Sequence, residues 1–470
     1  MREIVNIILA GGSGTRLWPI SRTLMPKQFL KIYGNMSFFQ QTILRHKNIA
    51  DRTIVVVNDK QYFLALEQLE EINMDNRVTF VIETVGRNTA PAICLASMLL
   101  KNEDIAIVTP SDHLIKNSEN YEQDFKDSLD LLKDNKILTF GIKPDSPNTD
   151  YGYIETGKEL GKEIFKTTNF HEKPDMEKAK KYLEKGNFYW NSGIFAFKVK
   201  TYLSELEKHA PEIYKACEKA FSTSKQQDNL VRFKREAMEK IPADSIDYAV
   251  MEKTDKGITK IASFDWSDVG SFDSLYTILP KDNNKNAVFK PENLINKDSE
   301  ENLIFTTKDR TMVTIDVKNL LIIDTKDAIL ISNKGSSSKV KEIVKNLKEK
   351  NSEIVESHIT TFRPWGHFTL LAENKMYKVK KIYVKPGKRL SLQYHNNRSE
   401  HWVVVKGEAK ATIGDNVFHI KQNQSIYVPI KEKHRLENPT DKDLEIIEIQ
   451  VGFPLTEDDI VRIEDDYKRE

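Results

Sequence analysis

Cysteine is almost missing from this chain. Cys94 and Cys217 are the two in 470 residues, and they form no CxxC pair. That excludes a disulfide framework and a thiolate metal site, and it fits a reducing, cytoplasmic setting. An excess of charge of one sign is lacking too. Lys and Arg number 71 against 70 Asp and Glu, so net charge argues for neither nucleic acid nor a membrane surface as partner, while a local anion site is untouched by that balance. No apolar run is long enough to span a bilayer. The short apolar stretch Met1–Ala10 runs straight into a Gly-rich turn and lacks a cleavable signal's layout, so it reads as a buried first strand.

What is present is apolar material for a core, at 39% of residues, with 30% charged. The length exceeds what one core serves, so at least two domains are expected. Over the first 280 or so residues, short β-branched runs alternate with helix-like stretches. Ile4–Leu9, Thr53–Val57, Val78–Val81 and Ile105–Val108 read as strands, and Tyr62–Ile72 and Ala90–Leu100 as helices. This alternation predicts βαβ units and a mostly parallel sheet, whose ligands bind at the carboxyl ends of the strands.

After about Pro280 the texture changes. Asn283–Ser299 is polar, and Met312–Ile315, Leu320–Ile323 and Ala328–Ile331 follow as short apolar runs about eight residues apart, a small stack of strands. Ser336–Ser338 is placed to cap an amphipathic helix through Val340, Ile343, Val344 and Leu347. From about Val355, Val379–Val384, Trp402–Val405, Ala409–Ile413, Ser425–Val428 and Leu444–Val451 alternate with Gly, Pro and Asn turns. That pattern predicts an all-β barrel or jelly roll. The charged Glu457–Glu470 reads as a short helix or a frayed end. The expected division is residues 1–282, a linker with short strands and a helix at 283–354, and a β domain at 355–470.

The strongest local signal is Leu9-Ala-Gly-Gly-Ser-Gly-Thr-Arg16-Leu-Trp-Pro19, followed by Met25-Pro-Lys27-Gln-Phe. A Gly-rich turn straight after a strand lets backbone N–H groups approach phosphate oxygens, and Arg16 and Lys27 add fixed positive charge. GxxxxGK[ST] is absent, and so is the third Gly of a dinucleotide fingerprint. Later strand-end motifs are Thr109-Pro-Ser-Asp112-His113, Phe170-His-Glu172-Lys173-Pro174, Asn191-Ser-Gly193-Ile-Phe and Trp266-Ser-Asp268-Val-Gly270. Pro174 favours an extended backbone at Lys173.

In this order the motifs resemble the sugar nucleotidyltransferases. The Trp-Pro and Lys-Gln-Phe variants are similar to mannose-1-phosphate guanylyltransferases of the long bacterial type. The resemblance covers nearly the whole chain. It implies a Rossmann-like α/β domain with a GT-A type mixed sheet, GTP and mannose 1-phosphate as substrates, and Mg²⁺ as cofactor. It makes Gly11, Gly12, Gly14, Thr15, Arg16, Lys27, Arg87 and Asn88 nucleotide-binding, with Gly86-Arg-Asn-Thr-Ala-Pro91 as the base and ribose turn. Gly152, Glu172, Lys173 and Asn191 fall at the sugar, Gly152 beside Tyr153. The chemistry fits these residue types. Two polyanions must be brought together in line, which needs charge screening and positioning. Asp112 and Asp268 suffice for Mg²⁺, which takes one or two carboxylates and fills its shell with water and phosphate oxygens. Arg16, Lys27, Asp112, Lys173 and Asp268 form the catalytic set. The nucleophile is already an anion, so no base is assigned, and His113 is read as capping or packing.

The second constellation is Gln393-x-His395-x₄-Glu400-x₆-Gly407, then Pro429-x₄-His434-x₃-Asn438. Gln393 and His395 share one strand face, and Glu400 and His434 are placed to join them. Mixed N/O ligation of this kind suits Zn²⁺, Mn²⁺, Fe²⁺ or Co²⁺. The spacing resembles the two cupin motifs, and more narrowly the type II phosphomannose isomerase domain fused to these guanylyltransferases. That resemblance adds mannose 6-phosphate and fructose 6-phosphate as substrates, with Arg398 as phosphate anchor. His395-Asn396-Asn397-Arg398 departs from the family's His-rich run, while all four ligand positions are present. The alternatives are a guanylyltransferase with a structural or regulatory cupin, a non-catalytic scaffold, and an oxygenase cupin. A scaffold has no electrostatic need for all five catalytic residues, and Gln393 argues against the oxygenase. Self-association is left open.

Overall fold

The buried first strand Ile4–Leu9 lies between two parallel neighbours, Arg52–Asn58 and Ile105–Pro110, with Val78–Glu83 beyond the first of these. All four are rich in β-branched residues and nearly solvent-free, as strands covered on both faces must be. The computed structural model in which they stand describes residues 2–12, 14–289, 291–307, 310–350, 353–456 and 459–467. The helices Tyr62–Glu70 and Thr89–Ser97 connect the strands as expected. The whole sheet has eleven strands and is mixed. Phe188–Lys198 runs antiparallel to Ile105–Pro110, and Tyr153–Gly161 to Ile164–His171. The mixed sheet implied by the resemblance is therefore present, and the mostly parallel one read from alternation is not. The reason is that Phe188–Lys198 returns antiparallel between Ile105–Pro110 and Ile137–Ile142, while a tight hairpin at Lys162–Glu163, where both residues take positive φ without a glycine, adds an antiparallel pair at the edge.

The chain divides into two units, residues 1–355 and 356–470. Segment 283–354, expected as a linker, belongs to the first. Ala287–Phe289, Leu303–Phe305 and Leu320–Asp324 stack in parallel register, and Leu294–Lys297 stacks on Met312–Ile315, so the chain coils. Inside the coil, Asn302 donates to Asn286 Oδ1 and to the Val317 carbonyl, and its own Oδ1 accepts from Leu320 N–H. Leu303, Leu321, Ile323, Val340 and Val344 then share one apolar cluster with Leu17, Trp18 and Phe272. The helix Val340–Glu349 forms, but no Ser336–Ser338 side chain caps it. Asp273 does the corresponding work from outside, accepting from Gly335 N–H, Ser337 N–H and Ser337 Oγ.

Residues 356–470 form two antiparallel sheets, of six and five strands, around Trp365, Trp402, Val404, Leu436 and Ile446. The terminal segment contains a strand, Ile460–Glu464, paired with Leu392–His395. Residues 457, 458 and 468–470 lie outside the described residues. No helix among the described residues is long and apolar enough to cross a membrane.

In the first unit, buried Arg22 pairs with Asp327 at 3.0 Å, and Thr23 N–H donates to the Val355 carbonyl. Removing one partner of a buried pair leaves an uncompensated charge. Asp327→Ala should therefore destabilise the unit by about 3 kcal/mol in denaturant unfolding, and an unchanged midpoint would show the pair to be idle.

Candidate active sites

The carboxyl ends of Ile4–Leu9, Val78–Glu83 and Ile105–Pro110 lie side by side, and the chain's motifs begin there. Gly14 has φ 52°, and a Cβ on it would sit 2.6 Å from the backbone nitrogen of Lys27, so the turn packs against Lys27–Phe29 only as glycine. Gln28 Nε2 clasps the two pieces, donating to the carbonyls of Ala10 and Gly12 at 2.9 Å. Gly11, Gly12 and Thr15 complete this turn, and Arg16 is exposed beside it on the single helical turn Thr15–Leu17. Ser13, inside the motif, lies outside the described residues.

Lys27 is buried, with Nζ 2.8 Å from Asp112 Oδ2 and donating to the backbone carbonyl of Asp268. Burial alone would raise the Asp112 pKa. The Lys27 charge, helped by His113 and Arg16, outweighs it and holds that carboxyl down at about 2. Asp268 Oδ1 accepts from Tyr151 Oη at 2.8 Å and Gly270 N–H at 3.0 Å. His113 Nδ1 accepts from Trp266 Nε1 at 3.1 Å, which leaves the Nε2 edge 3.7 Å from Asp112 Oδ1. The ring therefore lies beside Asp112, outside hydrogen-bond range, packed against Trp266.

The same cleft, about 210 Å³ in volume, runs on past Gly152, Glu172 and Asn191. A Cβ on Gly152 would lie 2.5 Å from Glu172 Oε2, so the carboxylate occupies the room a side chain would need. Asn191 Oδ1 accepts from Thr139 Oγ1 and Gly193 N–H, and its Nδ2 donates to Asp247 at 3.1 Å. Lys173 is exposed, with Nζ 3.0 Å from Glu172 Oε1. Its φ is 46°, not extended. Proline steers the residue before it to extended backbone, so the expected extended conformation at Lys173 is not found: it takes the left-handed region in the turn that carries Glu172.

Three cleft groups escaped the sequence reading. Tyr151 faces the cleft, whereas its neighbour Tyr153 is fully buried. Asp247 opens a π-helical turn, Asp247–Met251, and burial together with the Glu172 carboxylate raises its pKa to about 7. Such turns often mark functional sites. Glu83 ends its strand with Oε2 2.8 Å from where a Gly11 Cβ would be. Burial raises its pKa to about 7 against the Arg87 N–H bond, and its Oε1 has no partner among the described residues. Arg87 and Asn88 follow in the next turn, but their side chains are engaged locally. Arg87 donates to the Met238 and Glu239 carbonyls, and Asn88 accepts from Thr89 N–H.

In the second unit, His395, Glu400 and His434 are buried with ligand atoms within 4.8 Å of one another. His395 Nε2 is 3.0 Å from Glu400 Oε1, and His434 Nε2 is 3.8 Å from Glu400 Oε2. His434 Nδ1 donates to the Glu432 carbonyl at 2.9 Å, which directs the Nε2 lone pair inward, where it has no partner among the described residues. Two imidazoles and a carboxylate, with His434 Nε2 and His395 Nδ1 both unpartnered among the described residues, fit a divalent transition metal. Burial opposes ionisation of Glu400, and both histidines with Arg398 hold its pKa far below the carboxylate range.

Gln393 lies alongside but turns its amide nitrogen to His395, at 3.5 Å, while its oxygen accepts from Ser391. Arg398 is committed to Glu400 and the Thr456 carbonyl. Asn396 and Asn397 turn to Asp459 through their backbone N–H groups and the Asn397 amide, away from the cluster.

Known proteins share both arrangements. Residues 5–285 match the nucleotidyl transferase family, 292–347 a mannose-6-phosphate isomerase/GMP-like β-helix domain, and 350–465 the mannose-6-phosphate isomerase C-terminal family. The chain is 40% identical to a mannose-1-phosphate guanylyltransferase of Salmonella muenchen, over 99% of this chain and 98% of that one. It is also 40% identical to the xanthan biosynthesis protein XanB of Xanthomonas campestris pv. campestris (strain B100), over the full length of both. Among solved structures, one from Thermus thermophilus, titled a mannose-1-phosphate geranyltransferase, superposes with TM-score 0.65 at 28% identity, over 74% of this chain and 99% of that one. A mannose-6-phosphate isomerase from Helicobacter pylori gives TM-score 0.51 at 37% identity, over 56% of this chain and 99% of that one.

His395→Ala should remove bound transition metal from the full-length protein, measured by atomic emission after dialysis. Unchanged metal content would mean that the buried cluster holds none.

Proposed function

The chain belongs to the nucleotidyl transferase family, among the mannose-1-phosphate guanylyltransferases that carry a mannose-6-phosphate isomerase C-terminal domain, and from that membership we propose two activities for it. Residues 1–355 form GDP-mannose and diphosphate from GTP and mannose 1-phosphate. Residues 356–470 interconvert mannose 6-phosphate and fructose 6-phosphate. The observation that carries the first is the contact of Lys27 with Asp112 and with the backbone of Asp268, which itself lines a cleft shared with Gly152, Glu172, Asn191 and Asp247.

In transfer, an oxygen of the mannose 1-phosphate attacks the α-phosphorus of GTP, and diphosphate leaves from the opposite side. The Gly11–Thr15 turn cradles the triphosphate while Arg16 and Lys27 screen its charge. Lys173 holds the sugar phosphate, and Glu172, Asn191 and Asp247 accept or donate to sugar hydroxyls. Asp112 and Asp268 would hold Mg²⁺, which supplies charge neutralisation for the transferring phosphate. Asp112, ionised far below neutral pH, is ready as a ligand, and Tyr151 fixes the Asp268 carboxylate. Glu83 faces the base: a carboxylate there accepts the N1–H and N2–H donors that guanine has and adenine lacks.

In isomerisation a proton moves between C1 and C2 of the open-chain sugar. His395, Glu400 and His434, with Gln393 after rotation of its amide, would hold Zn²⁺, Mn²⁺ or Co²⁺, whose chemistry is to polarise the carbonyl and the neighbouring hydroxyl. Nucleotide and sugar-phosphate substrates, with the free thiols of Cys94 and Cys217, suit the cytoplasm.

Two measurements test this. The purified protein should turn over GTP with mannose 1-phosphate, and also fructose 6-phosphate with Mn²⁺, Zn²⁺ or Co²⁺. Asp112→Ala should abolish only the first and His395→Ala only the second. Transfer without isomerisation under any metal would reduce the second unit to a structural or regulatory part. Separately, Glu83 is protonated below its pKa of about 7 and charged above it. GTP affinity should therefore rise as pH rises through that value, and Glu83→Gln should flatten the rise and weaken preference for GTP over ATP.

A further inference from the structure

The inner face of the six-stranded sheet in residues 356–470 carries more polar groups than a metal cluster needs. Lys380, Glu448 and Gln450 are 8%, 5% and 2% exposed. Lys380 and Glu448 stand directly opposite each other on neighbouring strands, and Gln450 stands opposite Glu400 on the next. Gln450 Nε2 donates to Glu400 Oε1 at 3.2 Å and Glu448 Oε2 at 2.8 Å. A continuous polar line therefore runs Glu400–Gln450–Glu448–Lys380 away from the metal ligands. Its middle is incomplete: Gln450 Oε1 is buried with no partner among the described residues. Buried polar groups are almost always satisfied, so an unpartnered acceptor on a residue that lines a cleft marks a place where a ligand's donor belongs.

That cleft is lined by these three residues together with Gln393, Arg398 and Arg462. Gln393 and Arg462 pair in register on the facing sheet, so the cleft lies between the sheets. The cationic end is set by Lys380, whose Nζ lies over the Phe368 ring at 4.6 Å from its centroid. One end of the line is thus the metal cluster and the other a half-sequestered cation. An open-chain hexose phosphate has the matching order: a carbonyl and hydroxyl at one end, hydroxyls along its length, a dianionic phosphate at the other.

We infer that Gln450 and Lys380 are the substrate-holding residues of the second site, Gln450 Oε1 accepting a sugar hydroxyl and Lys380 taking the phosphate. Arg398, committed to Glu400 and Thr456, stabilises the metal-binding carboxylate instead. This inference rests on the isomerase reading, and its test separates the two.

Fructose 6-phosphate is titrated calorimetrically into metal-loaded full-length protein carrying Lys173→Ala, which silences the transferase sugar site, and into the same protein with Lys380→Met, Lys380→Arg or Gln450→Met added. Metal content is measured on each, as is fructose 6-phosphate turnover. Lys380→Met should raise Kd about tenfold or more, the loss of one charge-assisted contact, and Lys380→Arg should restore most of it. Gln450→Met should raise Kd several-fold at unchanged metal content. Binding like the parent in Lys380→Met or Gln450→Met overturns the inference. So does metal loss in Gln450→Met, which would make that residue a support for Glu400 alone. A parent that binds fructose 6-phosphate without turning it over, with the variants losing that binding, sinks the isomerase reading and sustains this one. A parent that does not bind it sinks this one.

Discussion

The first unit depends on placing one ammonium group among carboxylate oxygens where nucleotide phosphates must also fit. Lys27 is buried and reaches both Asp112 and the Asp268 backbone. A buried lysine is tolerated only when paired, so Lys27 requires Asp112, the Asp268 carbonyl takes a further N–H, and the sheet is what delivers all three. Asp112 arrives just past the end of the fourth strand, Lys27 on a helical turn clasped to the glycine loop by Gln28, and Asp268 just past the short strand Trp266–Ser267, which pairs with Leu114–Ile115. Strong local charge also explains why Asp112 stays ionised although burial favours its neutral form.

Behind that site, the coiled strands of residues 287–333 act as a wall. They share an apolar cluster with Leu17, Trp18 and Ile20, and Arg22–Asp327 ties the segment between Arg16 and Lys27 to them. The phosphate-facing turn is thereby held from both sides, by Gln28 in front and by the coil behind. Preorganisation of this kind matters because the reaction requires positioning more than acid–base chemistry.

The second unit uses a different strategy. Its buried His395, Glu400 and His434 come from three strands of two sheets, so the cluster joins the two sheets from inside. The departure at Asn396-Asn397 does not reach the ligands, because both residues turn to Asp459. Residue identity in that loop therefore changes the loop's own anchoring and leaves His395 and Glu400 where the strands put them.

Local pattern carried much of this. The first four strands, the cupin strands and the metal-ligand spacing were legible because β-branched runs, turn residues and period-two faces are properties of a few neighbouring residues. The Lys162–Glu163 hairpin was not, since neither residue signals positive φ, and nor was the antiparallel return of Phe188–Lys198 that makes the sheet mixed, because its partners lie far away in sequence. The coil at 287–333 looked like a linker because its strands are short and its pairing lies one coil away. What the sequence alone determined is the inventory of residues: a Gly-rich turn after the first strand, Arg16 and Lys27, the strand-end Asp112 and Asp268, and the spaced set Gln393, His395, Glu400 and His434. What only tertiary structure decided is partnership. Glu83 beside Gly11, Asp247 with Asn191, and Gln450 between Glu400 and Glu448 are pairs set by long-range register and burial, and a carboxylate or amide in a strand carries no local mark of the partner it will face.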